Sequence, residues 1–137
     1  MDDDALTAAR SDLGLGELDR KMGIRVLQAS AELVVATMPV EGNTQSFGRL
    51  HGGATAALAE AVGSWAAVLH AGPGRSSVGV DLSITHHRGL RAGTVTATAT
   101  PLHRGRTVAT YAVSMTDEEG RLVSTARITS LVRNDPR

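Results

Sequence analysis

The sequence predicts an α+β fold in which an antiparallel sheet wraps around one long central helix. Three observations carry that expectation. Residues 51–71 are the one extended run of good helix formers, and Ala71-Gly72-Pro73-Gly74 supplies a firm stop. Four segments with partial period-2 alternation follow it, and a β-branched stretch at 24–40 precedes it. The helix is apolar nearly all round, so it needs cover on several sides, and only a sheet is large enough to supply it.

The elements follow in order. Residues 1–14 are polar and read as a short helix or a frayed tail, which sets an N-terminal tail at 1–15 and a single domain at 16–137. "GELDRKMG" (16–23) gives one or two helical turns ended by Gly23. "IRVLQASAELVVATMPV" (24–40) gives two strands broken around Gln28 to Ala31, and "EGNTQSFGRL" (41–50) is a loop. After the helix, strands are expected at 76–87, 93–103, 107–116 and 121–133. "DEEG" (117–120) is a hairpin turn, while 88–93 and 103–106 join the other strands. Short connections predict an antiparallel meander of these four strands. The basic loops "HHRGLR" (86–91) and "HRGR" (103–106) are expected at the same end of neighbouring strands.

Composition narrows the function. The 137 residues suit one domain with one core. Fourteen basic and fourteen acidic side chains cancel, so no global charge draws the chain to nucleic acid or an anionic membrane. The absence of cysteine excludes disulfides and thiolate chemistry. The acidic start lacks the pattern of a secretion signal, and no apolar run is long enough to span a bilayer, so a cytoplasmic location is expected. Phe47, Trp65 and Tyr111 are the only aromatic residues. A core of smaller side chains buries less area per residue, so a subunit interface is expected to supply part of the missing burial.

Chemistry concentrates on the helix. His51-Gly52-Gly53 places two glycines where backbone N–H groups have no partner within the helix. Glycine admits close approach of another molecule, and the positive end of the helix dipole stabilises a polarised carbonyl oxygen. The alternative is that the pair merely eases a tight turn into the helix. Further along, Glu60 has Ser64 at i+4, among Ala56, Ala57, Ala61 and Ala67. Solvated, ion-paired and catalytic readings of Glu60 all stand. A helix without lysine or arginine has no proper solvated face, which disfavours the first. A buried carboxylate costs several kcal/mol unless partnered, and such groups are candidates for function. The histidines have no metal-ligand spacing, and His86 and His87, adjacent on a strand, should point to opposite faces. The two basic loops are suited to phosphate groups, or are simply solvated turns.

"QSFGRLHGGATAALAEAVGSWAA", "VGVDLSITHHRG" and "PLHRGR", in that order, resemble the hot-dog-fold acyl-CoA thioesterases. The nearest resemblance is to the phenylacetate-degradation-type and 4-hydroxybenzoyl-CoA branch, with its catalytic carboxylate on the central helix. It extends over roughly residues 20–133. It implies that Glu60 is the nucleophile or general base, that the Gly52 N–H polarises the thioester carbonyl, and that Gln45, His51 and Ser64 assist. It implies further that Gly79, His86, His87, Arg88 and Gly89, with His103, Arg104, Gly105, Arg106 and Thr107, line the coenzyme A nucleotide and pantetheine. His87 stands where the family often has an apolar residue.

The resemblance also implies a homodimer with a continuous sheet, usually assembled into a homotetramer. Gln45 and Gly52 would then come from one chain, and Glu60 and Ser64 from its partner. No metal or cofactor is implied, coenzyme A being part of the substrate. Aryl-CoA thioesters (hydroxybenzoyl, phenylacetyl, dihydroxynaphthoyl) are the expected substrates. Two other readings keep the fold: an enoyl-thioester hydratase or dehydratase, and a non-catalytic acyl-CoA-binding protein.

Overall fold

The computed structural model of the protein describes residues 4–134. Two short helices, α1 (Asp4–Ala9) and α2 (Glu17–Lys21), lead into strands β1 (Arg25–Ala29) and β2 (Val34–Pro39). The long helix α3 (Gly52–Ala71) comes next, then β3 (Ser76–His86), β4 (Thr94–Arg104), β5 (Val108–Thr116) and β6 (Leu122–Arg133). Local chemistry explains the boundaries. Asp19 Oδ2 accepts the Gly16 N–H at 2.8 Å to start α2, and Gly23 ends that segment with φ +74°. Gly72 closes α3 with φ +82° and returns its N–H to Val68 O. At 117–120 the Asp117 carboxylate accepts the Glu119 and Arg121 N–H groups, and Gly120 takes φ +79°.

Residues 4–9 form the helical alternative expected at the N-terminus. Leu6 of α1 is fully buried, and Arg10 donates to Val68 O and Gly72 O at the carbonyl end of α3. In β2, in β5 and in β4 as far as Thr100 the burial alternates, with Val34, Ala36, Met38, Val95, Ala97, Ala99, Ala109, Tyr111 and Met115 all facing inward. They meet Leu58, Val62 and Ala66 of α3, all fully buried. Burying each larger aliphatic chain contributes about 1.5–3 kcal/mol. The rows of alanine let sheet and helix approach closely. At Gly63 the approach is so tight that a Cβ would lie 2.0 Å from Ile128 Cγ2. The Tyr111 hydroxyl donates to Ala31 O at 2.6 Å, tying the β1–β2 turn to the core.

The sheet order is β1-β2-β4-β5-β6-β3, antiparallel throughout. It curls around α3 in the hot-dog arrangement. The expected meander is only partly correct. Strands β4, β5 and β6 are consecutive hairpins, but β3 pairs with β6 and lies far from β4. The two edges of β4 are filled by β2 and β5, and β3 docks instead on the free edge of β6.

This placement leaves β3 as an edge strand with little cover. Val78 is 42% and Val80 55% exposed. The strand runs back along α3, with Gly79 beside Glu60 and His86 beside Gly52. Beside this edge strand, α3 keeps a half-open stripe that includes Ala57, Glu60, Ala61 and Ser64. Ala67, expected near Glu60 on that stripe, is fully buried.

Candidate active site

The loop 41–50 is built by side chains that stand in for backbone partners. Asn43 Nδ2 donates to Met22 O and Pro39 O, both at 2.8 Å, and His51 N donates to Asn43 O. Gln45 Oε1 accepts from the Phe47 N–H and, at 3.4 Å, from the Arg49 N–H. The amide oxygen of Gln45 thus holds its own loop, leaving the Nε2 group as the donor it can offer a ligand.

His51 is the N-cap of α3: its Nδ1 accepts the Gly53 N–H at 2.7 Å. With Nδ1 so engaged, neutral His51 carries its proton on Nε2. The glycine pair has a reason that neither reading from the sequence contained. A Cβ at Gly53 would lie 2.9 Å from His51 Nδ1, and one at Gly52 would lie 2.9 Å from His86 Nε2. Each glycine makes room for an imidazole ring. The Gly52 N–H has no acceptor among the described residues, so the first donor of the helix remains open.

In front of that donor is a cavity of about 320 Å³. Its wall includes the expected Gln45, Gly52, His86, His87, Arg88 and Gly89. Arg49, Thr55 and Ser124 also line it, and the sequence reading missed all three. Thr55 had a signal: a hydroxyl one turn into a helix, where it donates to Gly52 O at 2.9 Å. Ser124 had none, since it reaches the site only through the pairing of β6 with β3. Its Oγ lies 3.2 Å from His86 Nδ1, and Thr55 Oγ1 lies 3.4 Å away. His86 is therefore held from the inside of the sheet. His87 instead reaches Thr125 Oγ1 at 2.9 Å, and Thr125 is exposed, so the two rings do face opposite sides.

A second cavity, about 350 Å³, lies on the other flank of the first helical turn. Leu18, Met22, His51, Gly53, Ala54 and Ala57 line it, with Gly42, Asn43 and Thr44 at the loop side. The cationic wall and the apolar wall thus meet at residues 51–53.

Glu60 belongs to neither cavity. It is half-buried on the open stripe of α3, where Ser64 Oγ donates to its Oε2 at 2.9 Å. A Cβ at Gly79 would lie 2.6 Å from the same oxygen. At 1.5 Å per residue, Glu60 is about 12 Å further along the axis than Gly52. One chain therefore does not bring the carboxylate to the open N–H.

His103 to Thr107 form the β4–β5 turn at the opposite end of the molecule, beside the carboxyl end of α3. The expectation that the two basic loops share one end of neighbouring strands is corrected. The segment 86–91 leads into β4 and 103–106 leads out of it, so an 11-residue strand separates them: 86–91 lies by the helix amino end, while 103–106 lies near Leu131 and the start of β3. The turn itself is tightly folded. A Cβ at Gly105 would lie 2.6 Å from both Val108 O and His103 Nε2.

Comparison with known proteins decides the family: the thioesterase superfamily model matches residues 47–124, which include the end of the loop, all of α3, β3, β4 and β5, and the start of β6. The chain belongs to the thioesterase superfamily. As a member it is a thioester hydrolase acting on a small-molecule thioester. A Deinococcus radiodurans protein with a provisional esterase name is 52% identical over 118 residues, 83% of this chain and 72% of that protein. The proofreading thioesterase EntH of Cronobacter turicensis is 41% identical, covering 86% of this chain and 87% of the other. A thioesterase from Haemophilus influenzae superposes with a TM-score of 0.82 at 38% identity, covering 85% of this chain and 82% of that one. The Haemophilus influenzae structure shares the fold described above, in which the antiparallel sheet surrounds the helix Gly52–Ala71. Among the described residues, no helix is long and apolar enough to cross a membrane.

Proposed function

We propose that this thioesterase hydrolyses acyl-CoA thioesters, aryl-CoA first among them, in a site shared by two copies of the chain. One observation carries the proposal. Glu60 is a half-buried carboxylate on an otherwise apolar helix, held by Ser64 against the exposed edge strand, and the open Gly52 donor lies too far along the same helix for it to reach.

Antiparallel pairing of β3 with β3 of a second copy meets that need. It covers Val78 and Val80 and sets the start of one strand beside the end of the other. Glu60 and Ser64 of one chain then face Gln45, His51 and Gly52 of its partner. The same pairing brings the turn His103–Thr107 of one chain toward the cavity lined by His86, His87, Arg88 and Gly89 of the other. The basic loops, separated within a chain, are reunited across the pair around the coenzyme A phosphates, with Gly79 at the seam. A homodimer is the minimal active unit, and two such dimers form a homotetramer. A cytoplasmic location suits a coenzyme A ester.

The chemistry follows from the parts. The thioester carbonyl lies over the helix amino end, where the Gly52 N–H and the helix dipole stabilise the developing oxyanion; one such donor is typically worth about 100- to 1000-fold. Glu60 either attacks the carbonyl carbon to give an anhydride that water opens, or takes a proton from water as it attacks. The C–S bond breaks, coenzyme A leaves as the thiolate and is then protonated, and the acid is released. This route requires neither metal nor cofactor. The second cavity, with Ala54 and Ala57 beside Leu18 and Met22, is roomy enough for an aryl group. The hydratase reading is weaker, because His51 Nδ1 is engaged as the helix cap rather than paired with a carboxylate.

The test is Glu60→Gln, followed by thiol release from benzoyl-CoA and hydroxybenzoyl-CoA. A fall in kcat on the order of 100- to 10,000-fold is expected. Undiminished hydrolysis rejects Glu60, and tight binding without turnover in the unaltered protein returns the non-catalytic alternative.

A further inference from the structure

We propose that His70 is a positioning residue, fixing the basic turn 103–107 so that it can receive the phosphate-bearing end of the substrate; this rests on the acyl-CoA reading above. His70 lies in the last turn of α3, far from Gly52, and the hydrolytic mechanism does not use it. Both of its ring nitrogens are engaged with the turn. Nε2 lies 2.7 Å from Gly105 O, and Nδ1 accepts from Arg104 Nε at 3.2 Å. A carbonyl only accepts and a guanidinium only donates, so this arrangement fixes the neutral ring with its proton on Nε2. The ring bridges backbone and side chain of one short turn.

The neighbouring contacts complete the clamp. Arg75 Nη2 donates to Arg106 O at 2.8 Å, Val132 N donates to Thr107 O at 2.9 Å, and the Gly105 N–H returns to Val108 O at 2.8 Å. The carbonyls of residues 105, 106 and 107 are thus all tied to the scaffold. Those oxygens would repel a phosphate, and they are committed before any ligand arrives. Arg104 is held at Nε by His70 and at Nη1 by Glu32, 2.8 Å away. The Arg104 hydrogen bond also holds the Glu32 carboxyl below its ordinary range. Two donors position the guanidinium, and the rest of its five remain for an anion. A preorganised cation binds without first giving up its rotamer freedom.

The experiment compares the unaltered protein with His70→Leu and His70→Gln. Each is assayed with benzoyl-CoA and with benzoyl-N-acetylcysteamine, which lacks the nucleotide, and each is titrated with coenzyme A alone. His70→Leu should raise KM for benzoyl-CoA and the Kd of coenzyme A about tenfold, leaving kcat within about twofold and the truncated thioester unaffected. His70→Gln, whose amide both accepts and donates, should restore most of the loss. Equal losses on both thioesters, or an unchanged coenzyme A affinity, would overturn the proposal. If the leucine variant does not fold, Arg104→Gln gives the same comparison at an exposed side chain and must raise KM for benzoyl-CoA alone. Failure of the unaltered protein to hydrolyse either thioester sinks the acyl-CoA hydrolase reading instead, and the coenzyme A titration separates the two.

Discussion

Glu60 and Gly79 are fitted to one another: the carboxylate Oε2 occupies the space that a Cβ at residue 79 would need, 2.6 Å away. Only glycine on the edge strand lets the acid lie flat against it while Ser64 holds the same oxygen from within the helix. Gly79→Ala should therefore displace the carboxylate without disturbing the core, because the end of a glutamate side chain moves easily. We expect kcat to fall about 10- to 100-fold, the scale of a misplacement near 1 Å, with little change in Tm. Full activity in this variant would mean that the placement of Glu60 does not matter.

Gly63 tests packing in place of chemistry. A methyl group there would fall 2.0 Å from Ile128 Cγ2, deep between helix and sheet. Gly63→Ala should cost about 1–3 kcal/mol by overpacking. Adding Ile128→Ala removes the colliding atom, so the double variant should be more stable than the sum of the two single losses predicts. Thermal melts of the four proteins decide it, and simple additivity would contradict the contact.

The free edge of β3 can be blocked with charge. Val78 and Val80, 42% and 55% exposed, are apolar on a strand with one neighbour. Val78→Lys with Val80→Lys places like charges across any pairing of two copies and should give monomers with at least about tenfold lower hydrolysis. Sedimentation velocity and thiol release read the two effects together. A fully active monomer would refute the shared site.

Asp117 links stability to pH. Burial alone pushes its carboxyl up, but the Arg121 and Glu119 N–H groups and the Arg121 guanidinium outweigh it and hold the group below its ordinary 3.8. A lowered native value means that the stabilisation is complete above the unfolded value and is lost as pH falls through the native one. Asp117→Asn should lower Tm by a few degrees at pH 7. The two melting curves should converge as pH drops below about 4. A gap that persists at pH 2 would point to another cause.

Features with local causes were legible in the sequence. Gly23, the 72–74 stop and the Asp117 turn mark their boundaries through cap and turn chemistry, and Glu60 with Ser64 is an i, i+4 pair on one helix. Strand order was not legible, because the place of β3 depends on β2 and β5 having already filled both edges of β4. The meetings of Gly79 with Glu60 and of His86 with Gly52 follow from that single non-local choice, whereas the two basic loops are separated by the length of β4 itself. The sequence reading placed His70 only among histidines without metal-ligand spacing. Its position in the last helical turn, where carbonyls lack partners and cations are favoured, was the signal that could have singled it out.

The docking of β3 on β6 alone also orders events at the ribosome. When β3 emerges, its sole neighbour in the sheet has yet to be made, and all of β4 and β5 must be translated first. A nascent chain in that interval carries a strand with no ladder on either side, the kind of segment most prone to wrong partnerships. The ladder of β3 must therefore wait for the last strand to zip, so completion of the sheet is post-translational with respect to β6.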